Sequence, residues 1–456
     1  MLETLAGWRA TLRASLHDLF APAATRPLST RAQQLERSAP TATAPIWRAL
    51  PWRAIITQAT AMWLVIRLIY AAFTYFAILF VAQGGPVDPA RVFTTVTPQV
   101  LMNAWKEWDG VWYVHIAAYG YTTWQPTAFY PFYPLLIHLV MLVLGPGSGV
   151  LSALIVANLS GLGACVAVAA LAYNEEGDEE TAWRTLRLTI AYPLAFFLAA
   201  PYTESLFLAL AMATLLCARR GAWRWVAFWA FLAGLTRITA VILILPILWE
   251  YGRQQGWWLR ATWYVPNHTQ QALKLLGDLA QPRNLLNFGL AIIATPLAIV
   301  LYGVYVWRLF GHPLLLFNVQ RDYWNHQPLP LWTSIPLALR LFLATHARSY
   351  VQSHVLMDLA PLVVCAVLTA VGARKLPLSF TLYMVGLLYL CVSTPLIDSP
   401  DPYGSAGRYL LVSVPLFLLL ARWSAHRPWL ETLLISAGFL LQAIFLATYL
   451  TGGVVT

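Results

Sequence analysis

Apolar residues in this chain come in long, nearly unbroken runs: 54–82, 150–173, 185–200, 202–218, 224–236, 238–250, 285–310, 352–372, 377–396, 407–423 and 429–450. A hydrocarbon core of roughly 30 Å takes about 20 residues of α-helix, so the pattern predicts eleven transmembrane helices. Backbone amides in lipid must be satisfied within their own segment, which makes the expected fold all-α. The runs between 185 and 250 are short, and predict broken or tilted pairs joined at turns such as Ala200-Pro201 and Thr236-Arg237. Ahead of the first run, residues 1–53 carry seven Arg and five Pro with no apolar core of signal-peptide type. Leu5, Trp8, Leu12, Leu16 and Leu19 recur there at helical steps. They fit an amphipathic helix on the membrane surface and, equally, a plain tail.

Composition agrees with the pattern. Of 456 residues, 59% are hydrophobic and 11% charged, whereas an ordinary soluble domain has about 25% charged residues. Disorder, a disulfide scaffold and a soluble enzyme are excluded on that ground. The net charge of +10 comes without a continuous basic stretch, so it reads as membrane topology rather than a nucleic-acid surface. Arg outnumbers Lys by 26 to 3, which points to a GC-rich, bacterial genome and hence a plasma membrane. Cys165, Cys217, Cys365 and Cys391 all lie in apolar runs without metal spacing and read as small core residues.

Two further apolar segments, 131–145 and 331–347, decide the orientation of every later span. If neither crosses, the cytoplasmic side receives 20 of the 29 basic residues and the other side 8, with Arg67 inside the first span. If only 131–145 crossed, the split would become 13 against 15. The positive-inside rule favours the first arrangement. It gives a cytoplasmic N-terminus with a basic tail over 1–53 and a membrane domain over 54–456. The outer loops then cover 83–149 and 311–351, with interfacial or re-entrant helices, plus the turns at Pro201–Glu204 and Thr236–Arg237 and the segment 397–407. Arg67 is expected to snorkel inward, because Thr57, Gln58 and Thr60 let the hydrocarbon stretch begin near Met62.

The polar residues that insertion does not call for gather on that outer face. The first loop holds Glu107, Trp108, Asp109, Trp112 and Tyr113 within a few residues. A carboxylate among large rings near lipid is partly desolvated and becomes a stronger base than one in water. Read alone, the segment is better described as a helix cap within an interfacial aromatic belt. Glu204, in Pro201-Tyr202-Thr203-Glu204-Ser205, stands at the mouth of two apolar runs, where an ionisable group costs about 2 to 3 kcal/mol if it enters hydrocarbon. A first-turn helix acid explains it as well. Arg237 alone reads as a snorkelling side chain. Arg408, after the Gly-rich turn Gly404-Ser405-Ala406-Gly407, suits a phosphate because its donors form a fixed fork. His312 to Trp332 brings together Gln320, Arg321, Asp322, Trp324, Asn325 and His326, a sugar-binding or lid loop or a wet connector.

No Walker loop, GxGxxG, HExxH or GxSxG is present, and Asp398 with Asp401 is the nearest thing to a metal motif. Cofactor-free, metal-free chemistry is therefore the expectation.

Taken together, the segments Trp108-Asp109-Gly110-Val111-Trp112-Tyr113, Ala128-Phe129-Tyr130-Pro131-Phe132-Tyr133-Pro134, Tyr192-Pro193-Leu194-Ala195-Phe196-Phe197, Pro201-Tyr202-Thr203-Glu204-Ser205-Leu206-Phe207, Gly234-Leu235-Thr236-Arg237, Gln320 with Trp324, and Gly407-Arg408-Tyr409 resemble the PIG-V family of mannosyltransferases in the GT-C superfamily. The resemblance implies an inverting transfer of a hexose, mannose above all, from a polyprenyl- or dolichyl-phosphate sugar to a hydroxyl of a glycolipid or glycan, on the non-cytoplasmic face. It also implies Asp109 as the catalytic residue, with Arg408 and Arg237 facing the departing phosphate. Glu107, Trp108, Trp112, Tyr113, Tyr202, Glu204, Gln320, Trp324 and Tyr409 are the expected substrate-binding residues around them. The chain departs from the family at Glu107, where members usually carry His or Arg, and this makes Glu107 a competing base. A transporter or flippase for a lipid-linked sugar is the alternative class; it calls for repeated halves and mid-membrane charges, and neither stands out.

Overall fold

The computed structural model describes residues 48–80, 96–256, 282–346, 349–397, 399 and 401–455. The expected tail helix over Leu5–Leu19 and the Asp398 half of the acidic pair lie outside the described residues. Helices dominate, and no strand occurs among the described residues beyond an isolated bridge between His326 and Leu396. In chain order the helices begin with α1 (Trp52–Phe80), α2 (Pro98–Asn103), α3 (Asp109–Tyr119) and α4 (Phe132–Leu144). Then come α5 (Gly149–Glu176), α6 (Glu179–Ile190), α7 (Glu204–Arg219), α8 (Trp223–Thr236) and α9 (Ile244–Gln254). After these are α10 (Pro282–Phe310), α11 (Leu315–Asp322), α12 (Leu331–Ala344), α13 (Tyr350–Gly372) and α14 (Leu378–Ser393). The last three are α15 (Ala406–Tyr409), α16 (Val414–Ser424) and α17 (Pro428–Leu450).

Among the described residues, five helical stretches are long and apolar enough to cross a membrane: Trp52–Phe80, Pro146–Glu176, Leu286–Phe310, Val351–Gly372 and Pro428–Leu450. A sixth arises if the pair Ala406–Val412 and Val414–Ser424, bent by 69°, is one broken span. The run expected over 185–200 is helical only to Ile190; it then breaks and resumes as a short 3-10 turn at Ala195–Leu198. Such irregular backbone is tolerated at membrane depth where protein surrounds it, and Ala195, Phe196, Phe197 and Leu198 are all buried.

Packing explains which faces are apolar on both sides. On α1 the buried stripe is Ile55, Ala59, Trp63, Ile66, Tyr70, Thr74 and Ala77, while Leu64, Val65, Leu68, Ile69, Phe76 and Phe80 are exposed. An apolar outer face of this kind faces lipid rather than water. Helix α5 is covered by α1, α4, α6 and α7. A Cβ on Gly161 would lie 2.3 Å from the Trp63 ring and 2.9 Å from the Leu198 carbonyl, so only glycine admits the α1–α5 crossing. Gly438 does the same for α17, because a Cβ there would meet the Ala191 carbonyl oxygen at 2.0 Å.

Charges collect at two ends of α7. At its C-terminus Arg219 pairs with Glu175 at 2.7 Å and Glu250 at 2.8 Å, and Arg253 also reaches Glu250 at 2.8 Å. The same layer holds Arg184 and Arg187 against Glu431 of α17, each at 2.7 Å, and Arg422 against Glu176. At its N-terminus Glu204 belongs to a separate group of charges. The length of α7, Glu204 to Arg219, puts the two layers about 22 Å apart at 1.5 Å of rise per residue.

Arg67 does not snorkel as expected. Its guanidinium stacks 3.6 Å above Trp63 and 4.5 Å from Tyr70, and Nε and Nη1 are buried without a hydrogen-bond partner. Ring faces one turn either side substitute for water by cation–π attraction.

Replacing Gly438 by Ala is expected to lower the melting temperature of the detergent-purified chain, because backbone must move to admit the methyl. Gly289→Ala, where nothing lies within 4 Å, should leave it unchanged or raise it slightly. Circular-dichroism melts of the two variants check this, and equal behaviour would show that the α17 contact is loose.

Candidate active site

Asp109 is the first residue of α3, and the turn before it is what aims its side chain. Trp108 has a positive φ of 49°, and the Gly110 and Val111 amides donate back to the Glu107 and Trp108 carbonyls. Gly110 lets this turn approach the next element: a Cβ there would sit 3.0 Å from Pro201 Cγ. Tyr202 closes the contact by donating its hydroxyl to the Glu107 carbonyl at 3.1 Å. The Trp-Asp-Gly and Pro-Tyr-Thr-Glu segments are thus two sides of one interface, which places Asp109 near the start of α7.

Arg408 arrives from the far end of the chain on an equally fixed turn. Ser405 is left-handed with φ 73°. The Gly407 amide donates to Asp358 Oδ1 at 2.6 Å, and the Gly407 carbonyl accepts the Tyr192 hydroxyl at 2.7 Å. A Cβ on Gly407 would crowd Leu194, Asp358 and the Met357 carbonyl at 3.0–3.1 Å. Glycine is needed here because helix α13 and the segment after α6 press on both sides of the peptide.

These placements build a continuous chain of charges. Arg408 Nη1 bonds Asp109 Oδ2 at 2.7 Å, Arg408 Nε lies 3.3 Å from Glu204 Oε1, and Arg237 Nη1 bonds the same Oε1 at 2.7 Å. Glu204 is buried, and its Oε2 has no hydrogen-bond partner. Aromatic faces complete the shell: Tyr409 lies 4.8 Å from the Arg237 guanidinium, and Tyr202 and Phe197 lie 5.0 and 5.4 Å from that of Arg408. Arg237 is therefore a half-buried partner of Glu204 rather than a snorkelling side chain.

The charges form part of the wall of a cavity of about 1150 Å³. Of the expected site residues, Asp109, Tyr113, Glu204, Arg237, Gln320, Trp324, Arg408 and Tyr409 line it. Glu107, Trp108, Trp112 and Tyr202 are not among its lining residues. Trp108 is 48% exposed, with its indole N–H directed at the Gly453 carbonyl. Trp112 stands behind the wall, its ring 6.1 Å from Phe129 and 6.3 Å from Trp324. Burial pushes the Glu107 carboxyl up, against the pull of Lys106.

The wall adds unpartnered polar groups and an apolar side to the paired charges. The hydroxyls of Tyr130 and Thr239 and the indole N–H of Trp324 are buried without partners, and all three residues line the cavity. Ile238, Val241, Pro296, Ile299, Val300 and Leu387 supply an apolar side to it. Asp358 is legible in principle, as a lone carboxylate inside an apolar run. Among the described residues no group of three or more His, Cys, Asp or Glu is placed to hold a metal ion.

Removing one member of a buried ion network strands the others. Glu204→Ala is expected to destabilise the chain by about 3–5 kcal/mol, with Arg237 left without its carboxylate and Arg408 held by Asp109 alone. A fall in melting temperature that Glu204→Gln only partly repeats is the expected readout.

No curated protein and no solved structure matches the chain. A family model described as Mannosyltransferase (PIG-V) matches residues 55–276. That stretch contains Asp109, Glu204 and Arg237 and ends before Gln320, Trp324 and Arg408, which only the fold joins to them. Over that stretch, just under half of the chain, the sequence is similar to PIG-V-type mannosyltransferases, which supports a glycosyltransferase reading.

Proposed function

We propose that the chain is an inverting glycosyltransferase of GT-C type, in which the membrane domain over 54–456 moves mannose from a polyprenyl-phosphate donor to a hydroxyl of a glycolipid or glycan. The observation that carries this reading is the Asp109–Arg408–Glu204–Arg237 chain of charges on a cavity wall whose other side is apolar. A lipid-linked donor needs that combination: cations for the phosphate, an apolar surface for the prenyl chain, and a carboxylate for the attacking hydroxyl.

In the proposed step, Asp109 takes the proton of the acceptor hydroxyl while its oxygen attacks the anomeric carbon from the side opposite the phosphate. The carbon–oxygen bond to phosphate breaks, and the bonding pair leaves with the lipid phosphate. Charge then moves in a favourable sense. As Asp109 gains a proton its attraction for Arg408 falls, just as negative charge grows on the leaving phosphate, so the same guanidinium serves both in turn. Arg237, held by Glu204, adds a second positive charge at the wall. Glu204 keeps both cations close despite their mutual repulsion.

In this proposal eleven segments cross the membrane, the N-terminus is cytoplasmic, and the membrane is a bacterial plasma membrane. The layer with Arg184, Arg187, Arg219, Arg253 and Arg422 faces the cytoplasm and the Asp109 layer faces outward. The support is the basic excess of the first layer and its separation from the second by the length of α7.

Purified protein given polyprenyl-phosphate mannose and a glycolipid acceptor is expected to release polyprenyl phosphate, and Asp109→Asn to cut turnover about 10²-fold or more. Full activity in that variant would move the base elsewhere, and donor movement across vesicles without release would favour a flippase. Separately, a cysteine at position 405 in place of Ser405 is expected to react with an impermeant reagent from outside the cell; labelling only from the cytoplasm would reverse the topology.

A further inference from the structure

His326 lies in the connection between α11 and α12, and four backbone features hold it. Its amide donates to the Gln320 carbonyl at 2.9 Å, and Asn325 before it has φ 56°. His326 also bridges to Leu396, and the Gln327 amide donates to the Pro395 carbonyl at 3.1 Å. The outer loop is thereby tied to the segment after α14, and His326 lines the cavity that Asp109 and Arg408 line.

The ring's tautomer is set by its single partner. Nδ1 lies 3.0 Å from the Thr394 carbonyl oxygen. A carbonyl only accepts, so Nδ1 carries the hydrogen and Nε2 of the neutral ring is left with its lone pair. Among the described residues Nε2 has no protein partner. Burial, reinforced by Arg408, lowers the imidazole below its usual range, against the Thr394 carbonyl and Asp109, which raise it. The other charged or titratable groups on the cavity wall are Tyr113, Tyr130, Glu204, Arg237, Arg321, His354, Cys391, Asp401 and Tyr409.

We propose that His326 is a substrate-binding residue whose Nε2 accepts a hydrogen bond from a saccharide hydroxyl lying beside Asp109. The site is rich in donors with no protein acceptor, namely the Trp324 N–H and the Tyr130 and Thr239 hydroxyls. Of the carboxylates on the wall, Asp109 pairs with Arg408 and Glu204 with Arg237 through one oxygen, and Asp401 is the third. A sugar hydroxyl both donates and accepts, and the neutral imidazole adds an uncharged nitrogen acceptor to a wall that also carries the side-chain amides of Asn318 and Gln320. The inference rests on the glycosyl-transfer reading and deepens it. The hydroxyl belongs either to the donor sugar or to the acceptor, and the test separates the two.

Two substitutions divide the ring's functions. In His326→Asn the side-chain amide can keep the Thr394 bond but leaves nothing at the Nε2 position, whereas His326→Gln reaches that position and gives up Thr394. With the full chain, His326→Asn is expected to raise KM for either polyprenyl-phosphate mannose or the glycolipid about 3- to 10-fold. His326→Gln should recover part of that loss, and the substrate whose KM moves identifies the sugar. The same ranking is expected in tryptophan-fluorescence titrations with each substrate, since Trp324 shares the cavity. Protonation removes the acceptor, so wild-type affinity should fall on acidification below the usual imidazole range, and His326→Gln should lack that fall. Unchanged KM and affinity in His326→Asn, or the same acid limb in His326→Gln, overturn the assignment. Absence of polyprenyl-phosphate release by the wild type sinks the transfer reading alone, because the titrations still decide the saccharide contact; a wild type that binds neither substrate overturns it too.

Discussion

Arg408 is the side chain on which the site depends. It is buried, and a guanidinium in that position is tolerable only with counter-charges at hydrogen-bonding distance. Asp109 and Glu204 supply them, from the starts of two helices nearly a hundred residues apart, while Arg408 itself comes from the last quarter of the chain. Meeting this one electrostatic requirement forces the Trp-Asp-Gly segment, the mouth of α7 and the Gly-Arg turn to converge. A second requirement stems from the first. Glu204 must balance two guanidiniums, so Arg237 is fixed as well.

Steric constraints make that convergence possible. Gly110 admits Pro201, and Gly407 admits Asp358 and Leu194, so the two turns carrying Asp109 and Arg408 are each seated on glycine. Asp358 and Tyr192 then grip the Gly407 peptide from both sides, which transmits the position of α13 and of the segment after α6 to the Arg408 side chain. The irregular backbone at 191–203 and 405–413 has a function here: it lets side chains face a cavity at a depth where regular helices would face only neighbours or lipid.

The opposite layer of ion pairs has a different character. Arg219 with Glu175 and Glu250, and Arg187 with Glu180 and Glu431, join helix ends to one another. Arg219 lies 5.7 Å from the Phe380 ring, whereas Arg408 has Phe197, Tyr202 and Tyr409 all within 5.4 Å. One layer fastens helices, while the other surrounds a cavity with paired charges and unpartnered donors, and that contrast separates scaffold from site.

The class of solvent is legible without any coordinates. Apolar runs, 11% charge and skewed basic residues require an all-helical membrane chain, and Asp109, Glu204 and Arg408 stand out because charge among such residues is expensive. The Trp-Asp and Pro-Tyr-Thr-Glu-Ser segments are legible too, and they matter because their interface seats Asp109. Pairing, by contrast, is a property of the packed molecule. Periodicity and local cost describe each residue against lipid, so by those measures Arg237 snorkels and Arg67 reaches for water. Whether a guanidinium turns to water, to a ring or to a carboxylate depends on helices distant in sequence, and only their packing brings Arg237 to Glu204 and Arg408 to Asp109.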